Sequence, residues 1–464
     1  MNAEAIRQQF RHGQIDACGI SSLFARGLIT PLALTEACLT AAQHSHGIFI
    51  TLTAERARQQ AAAATLRWQQ GKALSELDGI PIAWKDLFDI AQTPTTAGSA
   101  TRKTIPAATE DARLVNHLTQ AGMVTLGKTN LSEFAFSGLG INPTFGTSLI
   151  TTQQGTEHVP GGSSSGSARA VAEGLTCFAI GTDTAGSVRI PAAFNGIVGY
   201  RASRQRYNDT GVFPLAASLD TLGPLCRSVR DAQALDNILC GQPEASYTPP
   251  RFIADTQLFE QADKSVRENG YRCLAQLEAS GFIVDHRPLP AFHAAMAWIA
   301  ENGWPGAVEA YRLHAGLLAS AQAEKIDPFI RLRLMDSGRI NPAVLDQFLQ
   351  QRHSWQQALA GELAGAVLIT PTVAHTAPLF PPLHDAALFA TTNSATLRLT
   401  MPGSLLDMPG IALPSGNADN GLFTSLLLSL PTGEDSRLLM AANAAADVLA
   451  SGNPARADLS TRQH

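Results

Sequence analysis

The chain is short of charge. Only 16% of its 464 residues are Asp, Glu, Lys or Arg, and the formal net charge is −5. That balance leaves no basic footprint, so no nucleic-acid partner is expected. No apolar run approaches the ~20 residues of a membrane-spanning helix, so no membrane association is expected either. The opening MNAEAIRQQFRHGQ lacks the apolar segment of a secretory signal, which makes the cytoplasm the expected compartment. The six cysteines (Cys18, Cys38, Cys177, Cys226, Cys240 and Cys273) are scattered and form no C-x-x-C pair. They read as free thiols in a reducing compartment. There is no H-E-x-x-H, no His/Cys cluster and no G-x-S-x-G elbow, so neither a metal nor a cofactor is expected. Of the 12 histidines only His158 falls near the turns that carry chemistry, and it reads as a loop residue.

What is plentiful is apolar and turn-forming: 45% hydrophobic residues, 38 Gly and 26 Pro. Such a chain can bury a large core and suits a turn-rich enzyme. With no repeat, low-complexity tract or clear linker, a single domain over residues 1–464 is expected. Thr30-Pro31 caps and opens one helix. Residues 53–70 form an Ala-rich second helix closed by Gly71. GIPIAWK is a short apolar strand ending at Lys85, residues 111–122 a helix, and MVTLGKTN the next strand. SGSARAVAEG (165–174) is a helix of small residues, LTCFAIGTD (175–183) a strand, and 259–280 a helix. VLITPTV, GIALPSG and LFTSLLLSLP are later strands, and a C-terminal helix follows. This alternation predicts an α/β fold with a large mixed, mostly parallel central sheet covered by helices on both faces. Residues 290–365 are the least strand-like and read as a helical insertion.

The densest chemistry lies between Gly161 and Pro191: GGSSSGSARAVAEGLTCFAIGTDTAGSVRIP. Two Ser-bearing turns bracket one helix and one strand, so the fold can bring the turns together. GGSSSG is not a Walker A loop, because no Lys follows Gly166, and it lacks the G-x-G-x-x-G spacing of a dinucleotide site. In GTDTAGSVRIP the small residues before Ser187 can aim backbone N–H groups at one spot, making an oxyanion hole; a plain strand-to-helix turn is the other reading. Lys85 follows an apolar strand, where burial would lower its pKa and leave a neutral amine to act as a base. An ion pair with adjacent Asp86 is the other reading. Serine, serine and lysine suffice for a nucleophile, a relay and a base without histidine.

Together these segments resemble the amidase signature family. DGIPIAWKD is similar to its lysine segment, LGKTNLSEFAFSGLGINPTFGTS to the stretch before its serine-rich loop, and GGSSSGSARAVAEG and GTDTAGSVRIPAAFNGIVGY to its two signature loops. DTGVFPLAASLDTLGPLCRSVRDA is similar to the segment that follows. The match is densest over about residues 78–230. The resemblance implies an amidohydrolase of small-molecule amides with Ser187 as nucleophile, Ser163 as bridging serine after a cis peptide bond, and Lys85 as base. Ser163 precedes Ser187 by 24 residues (187 − 163), which fits the family pattern. It assigns the oxyanion hole to the amides of Thr184, Ala185, Gly186 and Ser187, and supporting roles to Asp183, Arg189 and Ser165. The chain departs from the pattern at Ser165 and Ala185, where Gly is usual, and at Arg201, where Lys is common.

The family also contains the glutamine-hydrolysing chain of the tRNA-dependent amidotransferase. The alternative implied activity is therefore a glutaminase that works with partner chains. SATLRLTMPG has no acidic residue where that chain has one for the glutamine amino group, which favours a stand-alone amidase. DPFIRLRLMDSG carries Arg333 and Arg331, and similar arginines in relatives face a substrate carboxylate; two solvated helix arginines are the other reading. Enzymes of this size are often symmetric dimers, and nothing in the sequence decides that for this chain.

Overall fold

The computed structural model describes residues 2–242 and 249–451. An eleven-stranded sheet crosses the molecule, built from β1 (Phe49–Leu52), β2 (Pro81–Lys85), β3 (Val124–Thr129), β6 (Phe178–Thr182), β7 (Val198–Arg201), β8 (Leu222–Cys226), β9 (Phe252–Ala254), β10 (Val284–His286), β11 (Val367–Pro371), β12 (Gly410–Asn417) and β13 (Phe423–Ser429). Its order is β1-β3-β2-β6-β8-β7-β12-β13-β11-β9-β10. The two-residue strands β4 (Ile150–Thr151) and β5 (Glu157–His158) form a separate ribbon.

The fold is mixed α/β, with a large mixed central sheet. Parallel pairs join β3, β2 and β6 on one flank and β11, β9 and β10 on the other. The strands between are antiparallel, from β6 through β8, β7, β12 and β13 to β11, and β1 is antiparallel at its edge. Parallel pairing therefore belongs to the flanks, where helices cross between strands, and the centre carries hairpin-like neighbours. β2, β3, β6, β7, β8 and β11 are buried along their whole length, as strands covered on both faces must be.

Local signals explain the helices. Thr30 accepts from the Ala33 N–H ahead of the helix Pro31–Gln43, which has Pro in its first turn. The Ala-rich segment forms Ala54–Gln69, with Gly71 at φ 66° just beyond. The helix expected over 259–280 is divided: Thr256–Glu260 ends before Lys264–Ala279 begins. Residues 290–363 contain the helices Pro290–Asn302, Pro305–Leu318, Pro328–Ser337 and Ala343–Leu363, three of them opened by Pro. Their inner faces share a core, including Trp304, Ile330 and Phe348, with Phe134 and Leu219. The main core lies against the sheet and holds Trp84, Phe178 and Tyr200. Among the described residues no helix is long and apolar enough to cross a membrane.

Candidate active site

The site forms at the carboxyl ends of β2 and β6, parallel neighbours that bring Lys85 and Thr182 side by side. Strand ends of this kind are where open α/β sheets place their ligands. Lys85 is fully buried, and its Nζ lies 2.7 Å from Ser163 Oγ and 2.8 Å from Thr182 Oγ1. It forms no ion pair among the described residues. Asp86 pairs instead with Lys128 on β3, at 2.7 Å, so the adjacent carboxylate is already engaged. Burial pulls the Lys85 amine down to about 7, against the opposing pull of the Asp220 and Asp183 charges.

β6 runs straight into the turn that holds Ser187, and the first Gly/Ser turn meets it from the other side. Ser164 N–H donates to Ser187 O at 3.2 Å. The Gly162–Ser163 peptide is cis. Ser163 O accepts from Ser165 N–H at 2.9 Å and Ser132 N–H at 3.1 Å, which ties the serine loop to the segment after β3. Gly162 cannot carry a side chain, since a Cβ would sit 2.6 Å from Gly140 N and 2.7 Å from Ser132 Oγ. Ser165 opens the helix Ser165–Ala172, as expected.

Asp183 organises the turn that bears Ser187. Its carboxylate accepts from the N–H groups of Gly186 (2.8 Å), Val188 (3.1 Å) and Arg189 (3.3 Å), and from the Arg189 guanidinium at 3.0 and 2.8 Å. Burial works to raise this carboxyl, but Arg189, Arg201 and the backbone donors outweigh it and hold it at about 2. Gly186 adopts φ 136°, and a Cβ there would collide with Thr400 Oγ1. Of the four amides expected to line an oxyanion hole, one is already engaged. The Gly186 N–H is turned onto Asp183, whereas the amides of Thr184, Ala185 and Ser187 have no partner among the described residues. Thr184 Oγ1 donates to Asp220 Oδ1 at 2.5 Å, and Thr400 Oγ1 donates to Ala185 O at 2.6 Å, so both flanks of the turn are braced.

Thr182, Asp220 and Thr400 escaped the sequence reading. Thr182 and Asp220 sit inside segments already quoted, at a strand end and in ASLDTLGP. Thr400 comes from 215 residues beyond Ala185 and has no local signature.

The two helix arginines part company. Arg331 pairs with Glu324 at 2.6 Å. Arg333, two residues on and so on another face of the helix, sets its guanidinium 4.7 Å over the Phe136 ring. It lines a cavity of about 830 Å³. Its buried Nε has no hydrogen-bond partner among the described residues, and burial lowers its pKa to about 10. His158, expected in a loop, lies instead in the two-residue strand β5, where Nδ1 faces Ala377 O and Nε2 faces Thr156 Oγ1.

This architecture is that of enzymes that hydrolyse carbon–nitrogen amide bonds. A solved structure described as an amidase superposes with a TM-score of 0.81 at 31% identity, covering 92% of this chain and 98% of that one. The Amidase family model matches residues 33–439, and the chain belongs to the amidase family. Among curated relatives, 2-amino-5-chloromuconic acid deaminase of Comamonas testosteroni is 30% identical over 432 residues, 89% of this chain and 91% of that protein. The glutamyl-tRNA(Gln) amidotransferase A chain of Anaeromyxobacter dehalogenans is 40% identical, over 224 residues that span 47% of this chain and 45% of that one.

Proposed function

We propose that this protein is a stand-alone amidohydrolase that cleaves a small-molecule amide through Ser187, Ser163 and Lys85. The observation that carries the reading is the contact of fully buried Lys85 with Ser163 Oγ, beside the turn that bears Ser187. As the neutral amine, Lys85 accepts the Ser163 hydroxyl proton while Ser163 accepts that of Ser187. Ser187 Oγ attacks the amide carbonyl, and the oxyanion is received by the free N–H groups of the turn, those of Thr184, Ala185 and Ser187. The proton returns through Ser163 to the leaving nitrogen as the C–N bond breaks, giving an acyl-enzyme and ammonia or an amine. Water, deprotonated along the same relay, attacks the acyl carbon and frees the carboxylic acid and Ser187. Every atom and proton is accounted for by amide plus water. Arg333 is assigned to an anionic group on the substrate.

The test is ammonia release by the purified chain on neutral aliphatic, aromatic and carboxylate-bearing amides, with Ser187→Ala beside it. Turnover by the chain alone, cut by about 10³-fold or more in the variant, supports the reading. Absence of turnover that is restored only by partner chains and glutamine would favour the second reading, the glutaminase component of an amidotransferase. That reading draws on the 40% identity to the amidotransferase A chain, which stops short of half of either protein.

A further inference from the structure

The loop of residues 137–140 is buried along its whole length, so its backbone polar groups need partners inside the protein. Those partners divide by side. The N–H groups turn to side chains: Gly138 donates to Asn393 Oδ1 at 2.8 Å, Leu139 to Ser137 Oγ at 3.2 Å and Gly140 to Ser132 Oγ at 3.1 Å. The carbonyls turn to the serine loop: Gly138 O accepts from Gly162 N–H at 2.8 Å, and Leu139 O from Gly161 N–H at 3.1 Å. Gly162 immediately precedes Ser163, whose Oγ meets Lys85 Nζ. Whatever holds residues 137–140 therefore sets the seat of the serine loop.

Two of the three acceptors, Ser132 and Ser137, are close by in the chain. The third comes from 255 residues beyond Gly138, on the helix Ala386–Leu397. Asn393 is fully buried, and its Oδ1 accepts from Ser137 Oγ as well, at 3.1 Å. With two donors on it that atom is the oxygen, since an amino group there would set donor against donor. Its Nδ2 has no hydrogen-bond partner among the described residues, so the side chain acts through its oxygen. A Cβ on Gly138 would sit 3.1 Å from Leu397 Cγ, one turn along the same helix. Phe389, Ala390 and Leu397 of that helix line the cavity, whereas Asn393 does not and faces the loop.

We infer that Asn393 is a positioning residue for Ser163, holding its hydroxyl against Lys85 through Gly138 and Gly162. The inference rests on the reading of Ser163 as the proton relay and adds a residue to it. Without the acceptor the buried Gly138 N–H is unpaired, the loop turns to satisfy it, and Gly162 loses a fixed carbonyl. A displaced Ser163 then returns the proton poorly to the leaving nitrogen, a step that an amide needs and a departing nitrophenolate does not.

The experiment takes Asn393→Leu, which removes the acceptor at similar volume, and Asn393→Asp, which keeps an oxygen for both donors in either charge state. The substrates are the best amide of the ammonia-release panel and the p-nitrophenyl ester of the same acid. In Asn393→Leu the ratio of amide to ester kcat/KM should fall at least about tenfold, as a misplaced proton relay predicts. The amide KM should change less than about threefold, and Asn393→Asp should stay within about threefold of the wild type. A merely destabilised protein loses both substrates alike. Equal losses on amide and ester, or an Asp variant as impaired as the Leu variant, would overturn the inference. Asn393→Ala, which opens space instead of forcing a misfit, replaces the Leu variant if that one does not fold. Hydrogen exchange needs no turnover and so separates this inference from failure of the amidase reading. The backbone amides of residues 161–165 should exchange at least about tenfold faster in Asn393→Leu than in the wild type or Asn393→Asp, with those of β12 and β13 unchanged. Equal exchange at 161–165 in all three defeats the inference whatever the turnover.

Discussion

Two lysines lie fully buried on neighbouring strands, and their surroundings give them opposite work. Lys128 meets a carboxylate, Asp86, together with Pro94 O and Thr95 Oγ1. Lys85 meets two hydroxyls. Burial lowers both amines, but at Lys128 the adjoining Asp86 carboxylate opposes it directly, whereas Lys85 touches only hydroxyls. With Lys85 at about 7, the neutral base is scarce below that pH and dominant above it. The pH profile of kcat/KM should rise through about pH 7 and then level off. The charge of half-buried Asp220 opposes the loss of the Lys85 proton. Asp220→Asn should therefore move the acid limb to lower pH, and an unmoved limb would show that Asp220 does not act on Lys85. Lys85→Arg keeps a charge that cannot be removed at neutral pH, and should abolish turnover across the whole range.

At the scale of elements, the segment after β3 links the serine loop to the helix that carries Arg333. Ser132 N–H holds Ser163 O, and the next residue, Glu133, accepts the Asp327 N–H at 2.6 Å just before the helix Pro328–Ser337. Burial pushes the Glu133 carboxyl up to about 7, above its ordinary value of about 4.3. The folded chain keeps a proton there that the unfolded chain releases, so the contribution is full below about pH 4.3 and is lost as pH rises through about 7. Glu133→Gln should flatten that part of the stability profile, seen in urea midpoints at pH 5 and pH 8. Thr400→Val removes the clamp on Ala185 O; it should cost about 1 kcal/mol of stability and lower kcat more than it changes KM, and steady-state kinetics with urea unfolding checks both.

Sequence legibility follows from the same contrast between local and distant contacts. The turns at Gly161–Ser165 and Asp183–Ser187 were readable because their chemistry is contiguous, and β2, β3 and β6 because apolar runs end at Gly or polar residues. The short strands β1, β7, β8 and β9 were not picked out, since their partners lie far along the chain. The antiparallel centre was hidden for the same reason: alternation of helix and strand speaks for crossovers and is silent about strand order. Thr400 and Asp220 act on the turn through tertiary contacts alone, beyond the reach of spacing rules.

On the scale of the whole molecule, buried charges connect the Ser187 turn to its surroundings. Asp183 engages Arg189 and, at 3.6 Å, Arg201. Arg201 lies 3.5 Å from Asp407, which lies 3.7 Å from Arg352 on the helix Ala343–Leu363. Removing one member strands the others, and a broken buried pair typically costs about 3–5 kcal/mol. Asp407→Ala should lower the unfolding free energy by an amount of that order, read as a lower urea midpoint at constant slope, although Asp407 is remote in sequence from the serines.

The residues proposed to break the bond all come from positions 85–187, whereas the cavity walls come from 296–402. The tool and the gauge that selects its workpiece are thus written in separate stretches of the gene. A chimaera that borrows only the second stretch from a relative would change which amides are accepted, and would keep the reaction only where the borrowed stretch retains Thr400, whose hydroxyl holds Ala185 O.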